Sequence, residues 1–290
     1  MRRLPICMIA LASVVPGIAH ADCRPSFVNG ATEVRLAAGD SMDDRQLTDR
    51  FQIFLRNDGN SECRLRLRVT RDLGASDPDF PNYSLMGPGG NVPISSSSPT
   101  DVSTGSLLVL QPGGRSPVSY GIRIPVGWGM KSGDYRQMLV FSLSEDRGDV
   151  PLATQQVQLW LGIPATARIH FAGANGGGGG ARIDLGQLSM TARTVSSPFA
   201  VRILSTAGYQ LRFASQNGGA LRRTDGPETI AYNLFVDGRP FNMVTGDEVE
   251  VGHHTSSTGD VHNVSITVEP NANWHAGNYS DRVTVTVTPI

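Results

Sequence analysis

The chain is written twice, and its second copy stops one strand early. Phe51-x-Ile53-x-Leu55, followed by Cys63-x-Leu65-x-Leu67, matches Phe199-x-Val201-x-Ile203, followed by Tyr209-x-Leu211-x-Phe213. Tyr83-x-Leu85 matches Tyr232-x-Leu234, and Ile122-x-Ile124-Pro125 matches Ile266-x-Val268 with Pro270 close behind. Gly133-Asp134-Tyr135 matches Gly277-Asn278-Tyr279, each at the head of an alternating run. The Phe, Tyr and Gly anchors recur at offsets of 148, 149 and 144 residues. A near-constant offset over several anchors marks a duplicated structural unit. After its Gly-Asp-Tyr run (135–143) the first copy has a turn at 145–149 and one more strand, 155–161. After its Gly-Asn-Tyr run the second copy ends at Ile290.

The period inside each copy is two. Leu65, Leu67 and Val69 point one way and Arg64, Arg66 and Arg68 the other, and the run 282–288 alternates Val283, Val285, Val287 with threonines. Alternation of this kind marks half-buried strands, and no amphipathic helix competes with it. Gly (33) and Pro (18) punctuate the chain with turns. The expected fold is all-β: two tandem immunoglobulin-like β-sandwich domains, antiparallel, with the C-terminal one lacking its last strand. A sandwich without that strand exposes an apolar groove and open backbone donors and acceptors, which another chain must fill. Val283, Val285 and Val287 are expected on one side of the groove, and Ile169 and Phe171 on the other. The alternative is a closed domain with these five in its core.

The N-terminus predicts export. Arg2 and Arg3 precede a short apolar stretch, 5–15, and Ala19-His20-Ala21 is an A-x-A cleavage site. The expected segments are a signal peptide at 1–21, a first domain at 22–163 and a second at 164–290. Asp22 stands between the cleavage site and Cys23, which disfavours lipidation. Cys7 leaves with the signal, so the exported chain keeps Cys23 and Cys63, which are expected to pair. Two cysteines are too few to make a zinc site.

Charge and motif content narrow the function. The full chain carries −1, and without Arg2 and Arg3 it holds 23 basic against 26 acidic residues. No basic stripe suggests nucleic acid. Lys131 is the only lysine, so there is no Gly-Lys pair for a phosphate loop. His253 and His254 sit in a Gly/Thr/Ser loop, and a metal site with His262 has no supporting spacing; these read as solvated loop histidines. Asp43-Asp44 and Asp77-x-Asp79 lack a calcium-loop pattern and read as turn residues. The glycine run 176–180 lacks the strand and helix of a phosphate cradle and reads as a hairpin loop. No G-x-S-x-G elbow occurs. The expectation is a protein with no enzymatic activity, cofactor or metal. A sandwich hydrolase with two carboxylates across a cleft stands as a third class.

The ending Ala276-Gly277-Asn278-Tyr279-Ser280-Asp281, followed by Val-Thr-Val-Thr-Val, resembles the closing signature of spore-coat-U-type domains. Those domains form the pilins of archaic chaperone–usher pili. Ile183-Asp184-Leu185-Gly186-Gln187-Leu188 and Ile230-x-Tyr232-x-Leu234 are similar to further segments of the family. The resemblance covers about 125 C-terminal residues. It implies an incomplete immunoglobulin-like domain, a periplasmic chaperone that lends a strand, an outer-membrane usher, and a next pilin whose N-terminal extension replaces the lent strand. The expected mature chain has essentially no donor extension and carries an additional domain in front. A subunit that accepts a strand and gives none belongs at the fibre tip. The expected role is therefore a tip adhesin that mediates surface attachment and biofilm formation. The alternative is a secreted coat or matrix protein that is not assembled into pili. By sandwich topology the loops 57–62, 87–105 and 144–153 share the far end of the first domain. Val92, Pro93, Ile94 and Val102 of the long middle loop are the candidate contacts with an unknown surface or host ligand. Trp128 and Met130 form a rival patch. Its repeat counterpart, near Trp274, suggests packing at the domain junction instead.

Overall fold

The computed structural model describes residues 22–290, apart from 29, 40, 41, 44, 93, 94, 97–104, 173–179 and 245. The signal-peptide expectation lies outside the described residues. So do Pro93, Ile94 and Val102, and most of the glycine run.

The first half contributes β1 (Pro25–Phe27), β2 (Glu33–Ala37), β3 (Arg45–Asn57), β4 (Cys63–Asp72), β5 (Ser84–Gly87), β6 (Gly90–Val92), β7 (Ser95–Ser96), β8 (Ser106–Leu110), β9 (Arg115–Val126), β10 (Gly133–Glu145) and β11 (Pro151–Ile163). One sheet runs β1-β3-β9-β5-β6. The other runs β2-β11-β10-β4, with β7 and β8 both against β4. Between them lies a core that includes Ile53, Leu55, Leu65, Ile122, Leu139, Phe141, Val157 and Leu159, all fully buried. The alternation legible in the sequence is the reason, since every second side chain faces the opposite sheet. Antiparallel pairing dominates as expected, but β2 runs parallel to β11 and β7 parallel to β4.

The second half contributes β12 (Ala167–Ala172), β13 (Thr194–Val195), β14 (Phe199–Ser205), β15 (Tyr209–Ser215), β16 (Ala220–Arg223), β17 (Thr229–Ala231), β18 (Asn233–Val236), β19 (Arg239–Phe241), β20 (Glu248–Val251), β21 (Asp260–Val268), β22 (Tyr279–Ser280) and β23 (Val283–Pro289). Its larger sheet runs β12-β14-β21-β18-β19, the same order as β1-β3-β9-β5-β6. The repeat anchors pair alike: Leu85 stands opposite Ile122, and Leu234 opposite Ile266. The facing sheet is β20-β15-β23. It corresponds to β8-β4-β10 and ends there. A third small sheet, β17-β16-β22, closes one end. Among the described residues the only helix is a single 3-10 turn, Leu73–Ala75.

Both copies carry the same corner. Tyr135 Oη donates to the Lys131 carbonyl (2.7 Å), and Tyr279 Oη donates to the His275 carbonyl (2.9 Å). This is the tyrosine corner of immunoglobulin-like sandwiches, a phenol tied to the backbone a few residues upstream. The Gly-Asp-Tyr and Gly-Asn-Tyr anchors of the repeat are its sequence trace.

Candidate functional site: an open strand edge

Among the described residues the two sandwiches differ at the strand beside β10 and its counterpart β23. In the first, β10 is flanked by β4 and β11, and Leu139, Phe141 and Leu143 are completely buried. The offset of 144 carries these three positions onto Val283, Val285 and Val287. In β23 the valines pack against the second core but stay half-buried, with the threonines between them exposed. β23 pairs with β15 only: Val283 opposite Ser215, Val285 opposite Phe213 and Val287 opposite Leu211. Among the described residues no strand pairs with its other edge. The backbone groups on that edge are unpaired by any strand, an arrangement proteins otherwise cover or blunt.

β12 forms the facing wall. It pairs only with β14, with Ile169 opposite Ile203 and Phe171 opposite Val201. Ile169 and Phe171 are half-buried against the same core as the three valines. Cα atoms of β12 and β23 come within 8 Å of each other. In the first sandwich β1 instead approaches β11, the strand with no counterpart in the second. The five residues expected at the groove are therefore brought together on two free edges. Phe199, Phe241, Val249, Val251 and Ile266 also pack partly buried around this core; the groove list drawn from the sequence did not include them.

The closing motif is structural. Asp281 accepts hydrogen bonds from Ser215 Oγ (2.5 Å), Tyr232 Oη (2.7 Å) and the Asn217 amide (3.1 Å). Those bonds anchor the start of β23 to the end of β15. Burial, and then the Asp281 carboxylate, push the Tyr232 phenol well above its ordinary pKa, so it remains a donor. At Gly277 (φ +157°) the Arg223 side chain lies so close that a Cβ would meet it at 2.7 Å.

His262 is the one functional-looking histidine that the loop reading misplaced. It lies in β21 and is 8% exposed, with Nε2 2.8 Å from Tyr209 Oη and Nδ1 2.8 Å from Asp237 Oδ2. Tyr209 Oη also donates to Asp260 (3.0 Å). The group joins β15 to β21 and the end of β18, and so links the two sheets. By the repeat offsets, Tyr209 matches Cys63 and His262 matches Val118, so hydrogen bonds stand in the second sandwich where the first has a disulfide. Replacing His262 with Val should cost about 1–2 kcal/mol, because Tyr209 keeps Asp260 and Asp237 is partly solvated. The urea midpoint of the second sandwich is the measurement. Among the described residues no group of three or more His, Cys, Asp or Glu side chains could hold a metal ion.

At the far end of the first sandwich, Cys23 and Cys63 are disulfide-bonded, with Cα atoms 5.2 Å apart. Around them gather 22–24, 57–62 and the turn 111–114. Buried Asn57 donates from Nδ2 to the Ser61 carbonyl (2.7 Å), and its own amide donates to the Gly114 carbonyl (3.1 Å). The turn 145–149 joins them, since the Asp146 amide donates to the Arg64 carbonyl (3.1 Å). The turn 111–114 was not among the loops expected here. Val92 lies in β6, opposite Leu85 and half-buried against the first core, and Ser95–Ser96 pair with Thr70–Arg71 at the end of β4 away from Cys63. The described parts of the loop 87–105 therefore do not sit at the far end as expected, because they add to the sheets as short strands. Leu107 and Val109, opposite Arg66 and Arg64 of β4, and Val150, next to the turn 145–149, are exposed on the far half of the sandwich. Trp128 and Met130 pack partly buried against the first core, next to the junction, and Trp274 packs in a separate cluster with Tyr279.

Residues 179–286 match the model of the Spore Coat Protein U domain. The match covers the open sandwich from after β12 to within β23 and leaves the first sandwich outside it. It bears out the spore-coat-U resemblance carried by Ala276–Asp281 and by the segments at 183–188 and 230–234. Three solved structures align over most of the chain at low identity. A chain of the CsuC–CsuE chaperone–tip adhesion subunit pre-assembly complex from Acinetobacter baumannii archaic chaperone-usher Csu pili is 14% identical. It is covered to 99% against 92% of this chain, with a TM-score of 0.44. CfaE, the adhesive subunit of CFA/I fimbria of enterotoxigenic Escherichia coli, is 14% identical over 92% of this chain and 81% of that one, with a TM-score of 0.42. The CupB6 tip adhesin from Pseudomonas aeruginosa is 10% identical over 92% and 94%, with a TM-score of 0.40. No curated protein matches the sequence.

Proposed function

We propose that this chain is the tip adhesin of a chaperone–usher pilus. Residues 164–290 accept a strand, first from a periplasmic chaperone and then, at the outer-membrane usher, from the next pilin. Residues 22–163 carry the surface-binding role, in attachment and biofilm formation, after export directed by residues 1–21. The reading rests on one observation above all. β23, which begins inside the segment that matches the Spore Coat Protein U domain and runs just past its end, has a free edge and three half-buried valines where the first sandwich has β11. The N-terminal residues support placement at the tip: 25–27 are committed to the first sandwich as β1, and Cys23 is tied to Cys63. The exposed apolar side chains Leu107, Val109 and Val150 make the far half of the first sandwich the region to test for surface contact. The role is one of binding and assembly, without catalysis.

The test is periplasmic expression of residues 22–290 with and without the chaperone from the same organism. The expected result is insoluble protein alone and a stable 1:1 complex with the chaperone, while residues 22–163 alone are soluble and monomeric. A full chain that is a stable monomer by itself overturns the strand-accepting reading and favours a secreted coat or matrix protein.

A further inference from the structure

β12, like β23, is bonded on one side only, and its inward residues rest on a core that lacks a strand. Its outward residue Arg168 is held from elsewhere. Both carboxylate oxygens of Asp43, which lies between β2 and β3 of the first sandwich, contact Arg168 Nη1 (2.6 and 2.7 Å). The same Asp43 accepts a hydrogen bond from Trp128 Nε1 (3.0 Å), and the Arg168 guanidinium lies over the Trp128 ring, 5.5 Å from its centroid. Two residues from two segments of the first sandwich thus fix one side chain of the groove wall. Alternation then fixes the neighbour, because a strand whose residue 168 is pinned outward must present Ile169 and Phe171 inward.

The other wall reaches the same place. The Ile290 amide donates to the Gly208 carbonyl (2.8 Å), which holds the end of β23 to the turn 206–208. That turn takes a hydrogen bond from the first sandwich, Ser132 N to the Thr206 carbonyl (2.6 Å). Gly129 (φ +98°) lies so close to Ser257 that a Cβ would meet its backbone nitrogen at 2.8 Å. One wall thus meets the first sandwich directly, through Arg168, and the other reaches it through the turn 206–208.

We propose that the Asp43–Trp128–Arg168 clamp positions β12 as a groove wall, so that the first sandwich sets how tightly the second holds its donor strand. This rests on the strand-accepting reading above. The physical basis is preorganisation: a wall already held in register loses less freedom when a strand adds to it. An exposed bidentate ion pair and a cation–π contact are each small effects, so the expected change is about three- to tenfold in affinity.

The probe is a labelled synthetic peptide of residues 151–163, the chain's own β11, titrated against full-length mature protein refolded in its presence. Asp43→Ala should weaken binding about three- to tenfold, with faster amide exchange in β12 and none in β9. Arg64→Ala, which removes an exposed ion pair with Glu62 at the far end, should change neither. Asp43→Lys should weaken binding further, and Asp43→Lys with Arg168→Asp should restore part of it, which a role confined to either sandwich would not produce. Uptake by the wild type that Asp43→Ala leaves unchanged overturns the clamp alone. No uptake by the wild type overturns the strand-accepting reading, and the clamp with it.

Discussion

Val285→Asp is expected to leave the open subunit folded and abolish its capture of a donor strand. In the open sandwich Val285 is half-buried, with Phe213 opposite it on one side and no strand on the other. A carboxylate there keeps contact with water, so the change costs the isolated subunit little. In the proposed complex a donor strand covers the same position. The carboxylate is then taken out of water with no cation beside it, at a penalty of several kcal/mol. At 1.4 kcal/mol per tenfold, donor affinity should fall by about a hundredfold or more. The contrast is with Val157→Asp in the first sandwich, where the corresponding strand is part of the chain and Val157 is fully buried. That substitution should unfold its sandwich outright, because no open state exists to accommodate it. Thr286→Asp, on the exposed face of β23, should do neither. Recovery of the 1:1 chaperone complex on co-expression reads all three, and circular dichroism of residues 22–163 shows whether Val157→Asp unfolds the first sandwich. A Val285→Asp chain that binds the chaperone normally would mean that the β23 edge is not where the strand goes.

The open edge of β23 was legible because it follows from alternation and the repeat, and both are local to the sequence. Val283, Val285 and Val287 declare their common face by spacing, and the missing strand shows as a missing segment. Other parts of the structure carry no such trace. The parallel pairing of β2 with β11 joins residues more than 100 positions apart, and nothing in the run 33–37 specifies its neighbour. Asp43 and Arg168 read as a turn residue and a strand residue; that they meet depends on how two sandwiches stack. His262 could have been placed. It stands in register two with Val264, Ile266 and Val268, a spacing that puts it on the inward face of β21. The loop reading came from its polar neighbours and gave composition more weight than period. The tyrosine corners fall between these cases, since the repeat marked Tyr135 and Tyr279 as important but only the hydrogen bonds to Lys131 and His275 say why.

The second large effect concerns the opposite end of the molecule. Cys23→Ser with Cys63→Ala is expected to destabilise the first sandwich by about 4 kcal/mol, the loop-closure entropy of a 40-residue crosslink. Ala at 63 avoids burying a hydroxyl at a position with no exposure. The bond closes a real structural gap. β1 is three residues long and pairs with β3 alone, and the residues before it are held by a few hydrogen bonds, such as the Arg24 amide to Asn57 Oδ1 (3.2 Å). Without the crosslink this edge should fray first, which exposes the 22–24 side of the far end where surface contact is proposed. The second sandwich shares no covalent tie with the bond, so its capture of a donor strand should be unchanged. Urea unfolding of the oxidised and doubly substituted chains, each with the donor peptide bound, separates the two transitions, and only that of the first sandwich should move. A shift below about 1 kcal/mol would show that the folded edge holds without its crosslink. A shift of the expected size makes folding of the first sandwich depend on an oxidising compartment. Protein made in a reducing cytoplasm should then carry a weakened far end while its acceptor groove works normally.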